Sequence, residues 1–170
     1  MKRLLVIMLC SQVLFLSCIE SKSTREIKPI NWEEREISMT KTDSFNLGQS
    51  YLSVYSEIYS ITEHRTINLT ATVSLRNISP TKDIYLLNAS YYNTSGELLR
   101  TYFNKPVALK PLETLEIIID ENNKHGGSGA NFVFDWAVED ENDPEPHFEA
   151  VMISTSGQQG ISFLTQGVKL

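Results

Sequence analysis

The sequence predicts an all-β fold, an immunoglobulin-like antiparallel β-sandwich of about eight short strands, with a small closed β-barrel as the alternative. Three observations carry this expectation. From Gly48 onward apolar and polar residues alternate with a period of two. Turn signals rich in Gly, Pro, Asn and Asp recur at intervals of roughly 8 to 15 residues, and no amphipathic stretch of useful helical length separates them. The chain has 170 residues, 41% hydrophobic and 21% charged, enough to bury one core and too ordinary for a coiled coil, a collagen or a disordered chain.

At the amino terminus Lys2-Arg3 precedes an apolar run over residues 4–16, softened by Ser11 and Gln12. The run is shorter than the roughly 18 apolar residues that span a bilayer and reads as a signal peptide. Leu14-Phe15-Leu16-Ser17-Cys18 resembles a bacterial lipobox, with Phe15 in place of the usual Leu. The resemblance implies cleavage before Cys18 and lipidation of its thiol; ordinary signal cleavage or an uncleaved apolar anchor are the alternatives. The two cysteines are Cys10, inside the run, and Cys18, so no disulfide framework is expected. The expected organisation is a lipoprotein signal peptide over 1–17, a flexible tether over 18–46 and the β domain over 47–170. The tether is rich in Glu, Lys, Ser and Thr; as a coil of about 28 residues it would reach about 30 Å. Trp32 is the one residue in it that a spacer does not require.

The strands follow in order. Residues 50–59 place Leu52, Val54 and Ile58 on one side and Tyr51, Tyr55 and Tyr59 on the other. Residues 66–77 set Ile67, Leu69, Ala71, Val73 and Leu75 against a wet face of Thr, Asn, Ser and Arg. Residues 84–93 are expected to align Tyr85, Leu87, Ala89 and Tyr91, and Asn93-Thr94-Ser95-Gly96 turns the chain into a partner strand from Glu97. Pro106 and Pro111 bracket an edge segment, because proline cannot donate to a central ladder. Leu115, Ile117 and Ile119 alternate in the next strand, Phe132, Phe134, Trp136 and Val138 in another, and segments 149–155 and 161–165 complete the set.

Gly48 to Tyr59, Thr72-Val73-Ser74-Leu75-Arg76-Asn77, Tyr91 to Gly96, Gly126 to Phe132, Glu149 to Ile153 and Gly157 to Phe163 together resemble an uncharacterised family of exported bacterial domains, the domain-of-unknown-function family numbered three-one-two-four. The resemblance covers residues 46–170. It implies an exported, often lipid-anchored domain and no assigned activity, so no catalytic residue is carried over.

Net charge is −6, which makes nucleic acid a poor partner. His64, His125 and His147 are far apart in sequence and lack metal-ligand spacing. The acidic loops at 120–123 and 139–143 make Asp120, Asp140 and Asp143 candidates for Ca²⁺, against a reading as water-facing turns. Gly126, Gly127, Ser128, Gly129 and Asn131, with Ser154, Ser156, Gln158 and Gln159, form two candidate binding loops; a connection that needs positive φ is the favoured reading of the first, and a hairpin turn is the other reading of the second. Tyr51, Tyr55, Tyr59, Tyr91, Tyr92 and Tyr102 would make an aromatic surface if their face is open. Asn68, Asn77, Asn88 and Asn93 begin N-x-S/T triplets, for which no glycosylation is expected.

The expected function is a non-enzymatic, lipid-anchored binding or assembly module of the bacterial cell envelope. Its partners would be the membrane through lipid on Cys18 and an unidentified envelope protein, glycan or small ligand, and no cofactor is expected. The alternative is a Ca²⁺-dependent or hydrolytic protein, which requires Asp120, Asp135, Asp140 and His147 to cluster.

Overall fold

The computed structural model describes residues 29–39, 45–155 and 160–170. They form two packed antiparallel sheets and a separate hairpin, a β-sandwich and not a closed barrel. The strands are β1 (Asn46–Ser53), β2 (Glu57–Ser60), β3 (Thr62–Asn68), β4 (Thr70–Arg76), β5 (Ile84–Tyr92), β6 (Leu98–Phe103), β7 (Val107–Leu109), β8 (Thr114–Ile119), β9 (Asn131–Val138), β10 (His147–Ser154), β11 (Ile161–Gln166) and β12 (Val168–Lys169). One sheet runs β12-β1-β9-β5-β6, with β7 continuing along the same edge of β5 as β6. The other runs β11-β10-β4-β8, and β2 pairs only with β3.

Alternation decides which residues meet between the sheets. Leu69, Ala71, Val73 and Leu75 are buried from the β4 side, and Leu115, Ile117 and Ile119 from β8. Phe132, Phe134, Trp136 and Val138 face them from β9. Tyr91, Phe132, Phe134 and Phe148 form a continuous aromatic stack through the core, with centroids 4.8, 5.3 and 4.2 Å apart. Each fully buried side chain of this size contributes about 1.5–3 kcal/mol. The indole N–H of Trp136 donates to Ser50 Oγ at 3.0 Å, so this ring is buried with its polar atom satisfied. Gly48 lies beneath that ring: a Cβ there would stand 2.2 Å from it.

Two expectations are corrected. On β5 the buried hydrophobic residues are Ile84, Leu86, Ala89 and Tyr91, whereas Tyr85 and Leu87 are only half-buried. A bulge between Leu86 and Asn88 inserts one extra residue and reverses the alternation, so a single expected face becomes two half-faces. The expected strand over 50–59 breaks at Val54-Tyr55-Ser56, where the chain leaves the first sheet to form the β2–β3 hairpin.

Residues 29–39, within the stretch expected as tether, lie on the domain. Trp32 packs on Phe103 at 4.8 Å, and Glu33–Arg35 makes one 3₁₀ turn. The Arg35 guanidinium meets Glu113 at 2.7 Å, Glu36 bridges to Val107, and the Ile37 N–H donates to the Pro106 carbonyl. The tether reading therefore does not extend over this segment, because Trp32 has a core edge to cover. Cys18 lies outside the described residues.

Candidate functional site

Strand register sorts the connections into two ends. Ser53, Asn131 and Tyr92 are neighbours in one sheet, and Thr70 pairs with Ile153 while Ala71 pairs with Ile119 in the other. The β2–β3 hairpin, the turn at 93–97, the loop at 120–130 and the chain after Ser154 therefore share one end, called here the glycine end. The loops at 77–83, 110–113 and 139–146 share the opposite one, the ion-paired end.

At the glycine end the loop is a clasp. The Thr94 N–H and hydroxyl both donate to the Gly126 carbonyl, at 3.0 and 3.1 Å, and the Gly129 N–H donates back to Thr94 Oγ1 at 2.8 Å. The Ser56 N–H donates to the Gly127 carbonyl and the Val54 N–H to that of Ala130. Gly126 is forced by close approach, since a Cβ would lie 2.1 Å from Tyr91 Oη and 2.3 Å from Ser56 Oγ. Gly127 has φ +75°, a backbone that side chains rarely adopt. Beneath it the Ser56 and Tyr91 hydroxyls share a buried hydrogen bond of 2.8 Å. Burial raises the Tyr91 pKa above its usual value, and the bond to Ser56 opposes that in part.

Beside this clasp opens a polar pocket of about 370 Å³, lined by Arg65, Thr66, Ile67, Asn68, Glu121, Lys124, Ser154 and Thr155. β3 and the two loops of the glycine end supply its walls. Ser154 is buried, while Arg65, Lys124 and Thr155 are exposed. The Arg65 and Lys124 side chains have neither a hydrogen-bond nor an ion-pair partner among the described residues.

Of the residues singled out by sequence, Gly126, Gly127 and Gly129 build the clasp, Ser128 sits within its 3₁₀ turn, and Asn131 opens β9. Ser154 reaches the pocket. Ser156, Gln158 and Gln159 lie outside the described residues. Asp120 is at the glycine end, and Asp140 and Asp143 are at the ion-paired end. Asp120 and Asp140 make the same local structure: Oδ1 accepts both the backbone N–H and the side-chain amide of the Asn two residues on. These bonds hold the Asp140 carboxyl below its ordinary pKa. Asp135 lies on the outer face of the first sheet, bonded to Gln49 at 2.7 Å and Asn88 at 3.1 Å. His147 stands beside Glu149 on β10, on the other sheet. The four residues required by the hydrolytic alternative thus do not form one cluster: Asp120 is at the end opposite to Asp140 and His147, Asp135 is on a sheet face, and no three His, Cys, Asp or Glu gather as a metal site among the described residues. The tyrosines do not share a surface either. Tyr91 belongs to the core, Tyr102 packs on Phe132, Tyr55 on Phe163, and Tyr59 is exposed.

Sequence reasoning missed Arg65, Asn68 and Lys124 as site residues and had Glu121 only within the acidic loop at 120–123. One signal was available: Thr62-Glu63-His64-Arg65-Thr66 carries no apolar alternation, which marks a strand leaving the core.

A family model described as Protein of unknown function (DUF3124) matches residues 48–170. No curated protein and no solved structure matches the chain.

Proposed function

We propose that this chain, which belongs to the DUF3124 family, is a non-enzymatic, lipid-anchored binding module of the bacterial cell envelope that meets its partner with the glycine end. One observation carries the reading: the connections at that end converge on an open polar pocket. At the opposite end Lys82, Arg76, Lys169 and Arg35 are each engaged by a carboxylate. The apolar leader and the lipobox-like Ser17-Cys18 supply the anchor in this reading. Ten residues lie between Cys18 and Pro29, the first residue of the described segment that packs on the domain. They span at most roughly 35 Å when fully extended.

The test uses the full chain expressed in a bacterial host. An alkyne-palmitate label is expected on the wild type and absent from Cys18→Ser. A photo-crosslinking side chain in place of Thr155 is expected to capture an envelope component, and one in place of Glu141, at the ion-paired end, is not. Label that survives Cys18→Ser would overturn the anchor. Equal capture from both positions, or none from Thr155, would overturn the binding end.

A further inference from the structure

We propose that the polar pocket at the glycine end binds a small hydroxylated carboxylate, of the sugar-acid class; this rests on the binding-module reading and names its ligand. Charge comes first. Asp plus Glu number 21 against 15 Lys plus Arg, so carboxylates are in excess over the chain as a whole. Arg65 and Lys124 nonetheless face the same cavity with no partner among the described residues. Two cations on one cavity repel each other, and an anion between them is attracted by both.

Hydrogen-bonding capacity narrows the class. Arg65 and Lys124 can only donate, ionised Glu121 can only accept, and Asn68 and Thr155 can do both. A ligand that satisfies this wall carries an anionic acceptor together with donors. Hydroxyl groups are neutral donors that Glu121, Asn68 and Thr155 can all accept, whereas the ammonium of an amino acid would be matched by Glu121 alone and repelled by Arg65 and Lys124. Inorganic phosphate keeps only one or two hydroxyls near neutral pH, so it offers Glu121, Asn68 and Thr155 fewer donors than a polyhydroxylated acid does. The volume of about 370 Å³ lies at the low end of the roughly 300–1,000 Å³ of small-molecule sites. Ile67 is the single apolar residue in the lining, so an acyl chain or aromatic ring would find little to pack against.

The experiment titrates the purified full-length lipoprotein in mild detergent with D-glucuronate, using calorimetry, and with D-glucose, acetate, inorganic phosphate and L-glutamate as comparators. Glucuronate is expected to bind saturably, with each comparator weaker by about ten-fold or more. Arg65→Ala and Lys124→Ala are each expected to weaken glucuronate by about ten-fold, Arg65→Lys by less, and added salt should weaken it further. Both side chains are exposed, and an unchanged melting midpoint verifies that the variants are folded. Absence of saturable glucuronate binding, or binding unchanged in the double alanine variant, overturns the proposal. Phosphate or glutamate binding as well as glucuronate overturns the sugar-acid assignment. If glucuronate fails while the Thr155 crosslink persists, the ligand class is wrong and the binding module stands. If the crosslink fails while glucuronate binds, the pocket and its ligand class stand, and what falls is the reading that a further envelope component docks at this end.

Discussion

The two ends of the sandwich are built from the same turn chemistry and finish differently. Asp120-Glu121-Asn122 at one end and Asp140-Glu141-Asn142 at the other fold into matching turns in which the Asp caps the Asn two residues on. Around the second, Lys82 meets Glu139 at 3.7 Å, Arg76 meets Glu149 at 2.7 Å, and Lys169 meets Glu145. Around the first, Arg65 and Lys124 face a cavity. The comparison teaches that a turn motif reports where a strand stops, whereas the partners of the surrounding charges distinguish a closed surface from one with capacity left for a ligand.

The largest expected effect tests what supports the open end. Gly126→Val drives a side chain into Tyr91 Oη and Ser56 Oγ, and is expected to cost about 3 kcal/mol, read as a lower urea midpoint with the slope unchanged. Asn77→Ala makes the corresponding test at the closed end. Its buried amide donates to the Lys82 and Leu109 carbonyls at 2.8 Å, and its Oδ1 accepts the Ser79 N–H, so truncation is expected to cost about 2 kcal/mol. If either variant unfolds as the wild type does, the ends do not depend on these clasps.

Tyr91→Phe is expected to cost about 1 kcal/mol by leaving the Ser56 hydroxyl without its partner. The substitution also has a pH signature. The folded pKa of Tyr91 is raised, so its neutral form is favoured in the folded state. The associated stability is complete below the ordinary tyrosine value near 10 and is lost as pH rises from there toward the folded value. Wild type is expected to lose stability above about pH 10 more steeply than Tyr91→Phe, measured by urea midpoints across pH 8 to 11. Tyr102 is shifted in the same direction by burial, so part of the slope remains in the variant.

Smaller still is the contribution of the ion pairs that close the opposite end. Arg76→Met is expected to cost about 0.5 kcal/mol, because the pair with Glu149 is partly exposed and screened, and the difference should shrink in high salt. A cost several times larger would mean that this end is held by charge and not by its turns. The smallest effect is at Asp140, where NMR titration should find a carboxyl that protonates below its ordinary value. Whatever this contributes to stability is present above the unfolded pKa and fades as pH falls through the lowered one.

Much of the architecture was legible along the chain. Alternation, strict over 70–76 and looser over 114–119 and 131–138, assigned the core faces of β4, β8 and β9, because the larger apolar residues of each strand fall on one side. The N-x-S/T triplets at Asn77 and Asn93 also find a physical reason. Each Asn follows the last residue of a strand, and its Oδ1 caps the N–H two residues on. The β5 bulge was not legible, since Tyr85, Leu86 and Leu87 suit either face. The place where Trp32 docks was equally hidden, because a lone aromatic among charged residues does not name the core edge that it will cover.

The sequence by itself determined that the chain is all-β, that its turns fall where Asn, Asp and Gly stand, and that glycine is concentrated at 126–129. These follow from local rules: period-two burial, Asx capping and backbone freedom each act within a few residues. Only the tertiary structure decided which turns share an end, that Asp120 and Asp140 stand far apart, and that Arg65 and Lys124, distant in sequence, line one pocket. Strand order decides these placements, and strand order is set by packing between elements whose sequence separation no local pattern encodes.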